Sequence, residues 1–268
     1  MTRLALRQPP PFRLSLLGLI PERLAGLSDA EIARLPLQQG NRRGVVGDCF
    51  TVSGDGAGER LVIAGGGERL DDVGAFMSRG EILVEGDVGA RAGLAMSGGR
   101  LIVQGAAGAG AATAMSGGEL RIGGDAGEGL GGALPGERSG MSGGLVAVAG
   151  SAASGAGDRL RRGLIAIAGA VGPGCGTRMH AGTIVVGGRL DAFAGAAMRR
   201  GSILGLGGCA ELLPGFAESG IHDLVFQRLL ARLLERSGLA ELAQRLRPLR
   251  RWQGDLAIDG KGEILTAP

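Results

Sequence analysis

Between Phe76 and Gly208 one short phrase recurs seven times, and this recurrence limits the chain to very few architectures. It reads Met77-Ser-Arg-Gly80-Glu-Ile-Leu-Val, then Met96-Ser-Gly-Gly99-Arg-Leu-Ile-Val, then Met115-Ser-Gly-Gly118-Glu-Leu-Arg-Ile. It continues at Met141, Leu160, Met179 and Met198, each three residues ahead of a central glycine. Those glycines lie 19, 19, 26, 19, 19 and 19 residues apart, so one repeat carries a seven-residue insert around Leu134–Arg138. A fixed period of this kind marks a solenoid and outranks local propensity.

Two and four residues after each central glycine stands an apolar pair: Ile82/Val84, Leu101/Val103, Leu120/Ile122, Val146/Val148, Ile165/Ile167 and Ile184/Val186. That period of two describes a strand with one buried face. A glycine follows each strand, from Gly86 to Gly207, where a turn with positive φ would fit. With only 3% aromatic residues, such segments cannot fill a thick core. Stacking them about 4.8 Å apart fills a narrow interior with ladders of like side chains instead. The expected fold is all-β: a right-handed parallel β-helix solenoid of about seven 19-residue coils. Residues 1–57 form an irregular N-terminal cap, 58–208 the solenoid, and 209–268 a C-terminal helical extension and tail.

Within the cap, Ser28-Asp-Ala-Glu31 is a capping-box pattern with Leu27 and Ile32 as its staple, and Pro36 ends the helix it opens. Phe50–Val52 and Leu61–Ile63 read as first strands. Beyond the repeats, Ile221, Val225, Phe226, Leu229, Leu230, Leu233 and Leu234 share one helical face, which is expected either to seal the last coil, the favoured reading, or to dock a partner. A second helix is expected from Leu239 to residue 247.

Glycine at 55 of 268 residues would suggest low complexity, but 44% hydrophobic content in ordered alternation argues against disorder. A net charge of +3 is too mild to imply nucleic acid. Three widely separated cysteines without C-x-x-C spacing, and no signal-peptide layout, predict a reduced cytoplasmic setting. Catalytic inventory is thin. His180 and His222 have no metal-ligand spacing, the recurrent serines are turn residues, and the lone lysine, Lys261, belongs to no phosphate loop. No catalytic or metal-binding residue is expected in this chain.

One surface feature stands out. Arg159, Arg161 and Arg162, then Arg178 and His180, then Arg199 and Arg200 crowd the central glycines of the last three repeats. Stacked like charges repel unless water or an anion relieves them. Two readings stand: a solvated face, or a groove for a polyanion or acidic partner, contacted by Arg161, Arg162, His180, Arg199 and Arg200.

The G-x-x-G-x-x-x-G repeats, the Met-x-x-Gly-x-Ile-x-Val strands, the segment Gln39-Gly-Asn41 to Gly47-Asp-Cys-Phe50, and the closing Gly260-Lys-Gly-Glu263 together resemble the C subunit of formylmethanofuran dehydrogenase. The repeat alone is similar to the C-terminal β-helix domain of the glutamate synthase large subunit. That enzyme would require fused synthase and amidotransferase domains, for which 268 residues leave no room. Arginine bias and few cysteines favour the bacterial formyltransferase/hydrolase complex over the archaeal molybdenum or tungsten dehydrogenase. The resemblance implies a non-catalytic scaffold in one-carbon metabolism, partnered by A, B and D subunits. It places zinc-dependent hydrolysis on A and formyl transfer, from formyl-tetrahydromethanopterin to a methanofuran-type carrier, on D. The carrier's polyglutamate tail would be a ligand for the arginine column. A free-standing repeat binding protein is the competing class, which a secretion signal would favour.

Overall fold

The computed structural model describes residues 1–54, 58–246 and 248–268. The expected boundary at residue 57 and the expected end of the second C-terminal helix at residue 247 lie outside the described residues. The chain is mainly β, with few helices and one large, mostly parallel sheet.

Seven strands precede the first full repeat: β1 (Thr2–Leu6), β2 (Leu14–Ser15), β3 (Pro36–Gln39), β4 (Arg42–Val45), β5 (Phe50–Gly54), β6 (Arg60–Ala64) and β7 (Leu70–Asp71). Short helices α1 (Pro21–Leu24), α2 (Asp29–Ala33) and α3 (Val46–Cys49) lie among them. The repeats supply β8 (Glu81–Glu85), β9 (Arg100–Val103), β10 (Glu119–Ile122), β11 (Leu145–Val148), β12 (Leu164–Ile167), β13 (Thr183–Val186) and β14 (Ser202–Gly205). After them come β15 (Ala217–His222), α4 (Val225–Arg236), α5 (Ala240–Gln244), β16 (Leu249–Gly254) and β17 (Gly262–Thr266).

The repeat strands pair parallel and in register, so Ile82, Leu101, Leu120, Val146, Ile165, Ile184 and Ile203 form one buried ladder. Ile264 of β17 continues it. Glu119 pairs with Leu145 as though nothing separated them, because the seven-residue insert projects as an exposed loop. A second line of parallel bridges runs Val88, Ala107, Ala126, Ala152, Val171, Leu190 and Cys209. Its one large member explains an irregularity of the last repeat. A Cβ at Gly205 would stand 2.5 Å from Leu190 Cδ1, so the big side chain on one ladder is matched by a missing one on the other.

The Met-x-x-Gly phrase has a packing cause. A Cβ on Gly118 would meet Met96 Cε at 2.6 Å, one on Gly144 would meet Met115 Cε at 2.8 Å, and one on Gly201 would meet Met179 Cε at 2.6 Å. In these pairs the methionine methyl occupies the space that the central glycine of the next repeat leaves open. Leu160, the one substitution in the row, sits 3.0 Å from the same point on Gly182 through Cδ2. All six repeat methionines and Leu160 are buried.

The glycines that end the strands are there for a different reason than the sequence reading gives. Among them only Gly86 has positive φ. The others are demanded by close stacking: a Cβ on Gly105 would lie 2.8 Å from Asp87 N, and one on Gly207 2.5 Å from Gly188. Positive φ is found instead just before the methionine row, at Phe76, Ala95, Ala114, Arg159, Arg178 and Ala197.

The cap forms much as expected in its helix and differs in its strands. Ser28 and Glu31 make the capping box on α2, and Ile32 is buried. The unexpected strand is β1, which pairs parallel with β6 and antiparallel with β5. Two carboxylates bind the cap to the first repeat. Asp71 accepts from Arg13 Nε and Nη2 at 2.6 Å each and from Ala90 N at 2.8 Å. Asp72 accepts from Arg91 Nε at 2.7 Å and from Ser15 Oγ at 2.6 Å. These bonds raise the pKa of both guanidinium groups.

The C-terminal extension departs further from expectation. Ile221 belongs to β15 and is exposed, and α4 starts at Val225. The helices cover the outer face of the sheet: Leu230, Leu234, Leu242 and Ala243 pack on Leu164, Ala166, Val185, Leu204 and Leu265. The last repeat is met by strands, with β17 parallel to β14, and β16 and β15 following antiparallel. Among the described residues no helix is long and apolar enough to cross a membrane.

Met115→Ala is expected to destabilise the chain by about 2–5 kcal/mol, since the coil above cannot collapse onto the gap. Arg138→Ala, on the projecting loop, should stay within about 0.5 kcal/mol. Equal shifts in urea midpoint for the two variants would rule out the methionine row as a packing element.

Candidate anion-binding column

Stacking fixes where the basic residues stand. The backbone N–H of Arg161 donates to Met141 O, that of His180 to Leu160 O and that of Arg199 to Met179 O, at 2.8–2.9 Å. Arg161, His180 and Arg199 therefore occupy one repeat position, with Arg162 and Arg200 in the next. The tail adds a member that the sequence reading left out. Ser202 pairs with Glu263, which makes Lys261 the counterpart of Arg200, and Lys261 N–H donates to Arg199 O at 2.7 Å. The signal was present: Lys261-Gly262-Glu263-Ile264-Leu265 repeats Arg79-Gly80-Glu81-Ile82-Leu83 with lysine in place of arginine.

A cavity of about 500 Å³ opens here, lined by Arg159, Arg178, His180, Ala197, Arg199, Arg200, Ile258, Asp259 and Lys261. Of the five residues expected to contact a ligand, His180, Arg199 and Arg200 line it. Arg161 and Arg162 do not; they stand exposed. Two cations are already committed. Arg178 pairs with Asp158 at 2.9 Å, and Arg159 Nη1 donates to Glu137 O of the projecting loop.

The others are not. Among the described residues, Arg161, Arg162, Arg199, Arg200 and Lys261 have no carboxylate partner. Several arginines elsewhere do find one: Arg3 with Glu85, Arg13 with Asp71, Arg91 with Asp72, Arg100 with Glu119, and Arg251 with Glu263. Such a set suits a multiply charged anion, each exposed contact contributing about 0.2–1 kcal/mol. It offers no nucleophile, and no group of three or more His, Cys, Asp or Glu among the described residues is placed to hold a metal. Beside the cavity and sharing Arg178 with it, a groove of about 470 Å³ runs under Leu134 and Pro135 of the loop, past Glu128 and Thr177.

No family model matches the chain. The C subunit of the formyltransferase/hydrolase complex Fhc of Methylorubrum extorquens is 48% identical over 91 residues, a segment spanning 34% of each sequence. A chain in the crystal structure of the formyltransferase/hydrolase complex (FhcABCD) of Methylorubrum extorquens with methylofuran is 43% identical. The likeness covers 99% of both chains with a TM-score of 0.92. The chain belongs to the C-subunit family of the Fhc complex.

In this family member the cysteines serve packing. Cys175 lies in a buried row with Ala92, Ala111, Leu130, Ala156 and Ala194, and burial pushes its thiol from the ordinary 9.0 up to about 12. Folding favours the neutral thiol, so this contribution is fully present below the unfolded value. It is lost as pH climbs from about 9 through about 12. Cys49 and Cys209 are partly exposed, with pKa values raised mainly by partial burial. A maleimide added to the native chain near neutral pH should therefore label Cys49 and Cys209, with Cys175 reacting only after unfolding. Equal labelling rates for all three would contradict the buried row.

Proposed function

We propose that the chain is the non-catalytic scaffold of a cytoplasmic formyltransferase/hydrolase complex in one-carbon metabolism. In that reading it holds the hydrolase (A), B and formyltransferase (D) subunits, which carry the zinc and the chemistry. They move a formyl group from formyl-tetrahydromethanopterin to a methanofuran-type carrier and release formate. The observation that carries the proposal is the end-to-end likeness to a chain of FhcABCD, and a cavity lined by cations without a nucleophile supports it. The fold is part of the same proposal: a right-handed β-helix of about seven 19-residue coils over residues 58–208, flanked by a cap and an extension. It is supported by in-register parallel pairing on the strand side and a parallel line of bridges on the next side.

The carrier's polyglutamate tail is assigned to the basic column formed by Arg161, Arg162, His180, Arg199 and Arg200, extended by Lys261. A flexible chain of carboxylates matches a row of unpaired cations, and several weak contacts held along one tether raise its effective concentration. Such binding must weaken as salt rises, because the contacts are exposed and screened.

Co-purification from the native host with mass spectrometry of the partners tests the assembly; recovery of the chain without hydrolase and formyltransferase subunits would refute it. Replacing Arg161, Arg162, Arg199 and Arg200 by serine should lower carrier retention about tenfold or more, with the set of assembled partners unchanged. Full retention at every ionic strength would make the column an ordinary solvated face. Deleting Ala133 to Ser139 should leave the isolated chain folded and reduce the yield of complex, and an unchanged yield would remove the loop from the assembly.

A further inference from the structure

The helix α4 buries one face and leaves the other bare. Leu230 and Leu234 reach the second core, whereas Val225, Leu229 and Leu233 are 76%, 63% and 43% exposed. These three stand four residues apart, so they form a straight aliphatic row along the outward side. A row of arginines runs beside it at the same spacing: Arg228, Arg232 and Arg236. Arg228 pairs with Asp223 at 3.2 Å, while Arg232 and Arg236 have no acid partner among the described residues. Three exposed aliphatic side chains on a twelve-residue helix that already has a buried face need an occupant.

The charges say which kind. A second copy docked through antiparallel α4 helices about a two-fold axis would set the arginine row against its own mate, which disfavours that pairing. We propose that this face receives a helix of a different subunit, presenting its own aliphatic row with aspartates or glutamates along the flank that meets Arg232 and Arg236. The helix-in-groove mode supplies the geometry: aliphatic anchors for affinity, and the charged flank for orientation and choice of partner. This rests on the scaffold reading above and adds a location and a partner chemistry that reading does not contain. The face lies on the outer side of the sheet, so docking there leaves the basic cavity untouched.

The test uses the assembled complex. A photo-crosslinking phenylalanine analogue at Leu229 should join this chain to a peptide of another subunit, one that carries spaced aliphatic residues and acids. Leu229→Ser with Leu233→Ser should lower retention of that one partner about tenfold, and Arg232→Glu with Arg236→Glu should do so more strongly at low salt than at high. Circular dichroism and the melting temperature of the isolated chain should stay unchanged in both variants, since none of these side chains is buried. Crosslinks between two copies of this chain, or a variant complex with every partner retained in full, would overturn the proposal while leaving the scaffold reading intact. A wild-type chain that assembles with nothing would overturn both.

Discussion

Everything in this molecule depends on backbone hydrogen bonds that join each residue to its counterpart one repeat away. They run on every side of the repeat: Arg100 N to Gly80 O on the strand, Gly108 N to Val88 O at the corner, Ala112 N to Ala92 O in the left-handed turns. Because the bonds bring backbones within van der Waals reach, they set what each position can hold. A Cβ on Gly108 would lie 2.8 Å from the Gly89 carbonyl carbon, and no side chain fits there. Glycine abundance is thus a consequence of stacking. The apolar content is confined to the few inward positions where like residues lie over like, and this lets a chain almost without aromatics bury a continuous core.

That logic explains which parts of the fold were legible in sequence. Strands β8 to β14 and the buried methionines could be read because stacking writes one residue type at one interval. The strands β1, β15 and β16 carry no repeat phrase, and β17 carries it far outside the regular interval. Thr2–Leu6 is five residues that become a strand only because β6 offers a parallel edge and β5 an antiparallel one. The α4 face misled for a related reason. Seven apolar residues at helical spacing imply one buried stripe, yet the outer sheet face accepts only Leu230 and Leu234 fully, with Phe226 and Ala231 partly covered. Sequence periodicity counts apolar residues and cannot say which neighbour each one meets.

The site divides in the same way. His180, Arg199 and Arg200 were visible as repeat-position residues of one charge, and the cavity gathers them. Arg161 and Arg162 satisfied the same pattern but do not line it, although Arg159 of the same repeat does. Lys261 lies 61 residues from Arg200 in the chain and joins the column only through the pairing of β14 with β17. Arg159 and Arg178 stand out in sequence by charge alone; their left-handed backbone at φ +54 is the further fact that brings them to the cavity's rim.

The two ends of the stack show why the unpaired cations sit where they do. A parallel stack leaves unpaired strand edges at both ends, and each must be closed. At the first end β1 and β5 do this, and the carboxylates of Asp71 and Asp72 consume the nearby arginines in doing so. At the last end β17 closes the sheet with Glu263, whose carboxylate is taken by Arg251 and Ser202. The carboxylate of β17 is thus already engaged, and the tail sets Lys261 and the carboxylate of Asp259 beside Arg199 and Arg200. A cap built this way completes the core and concentrates positive charge in the same step. The cation column is therefore set at the seam between the last repeat and the tail.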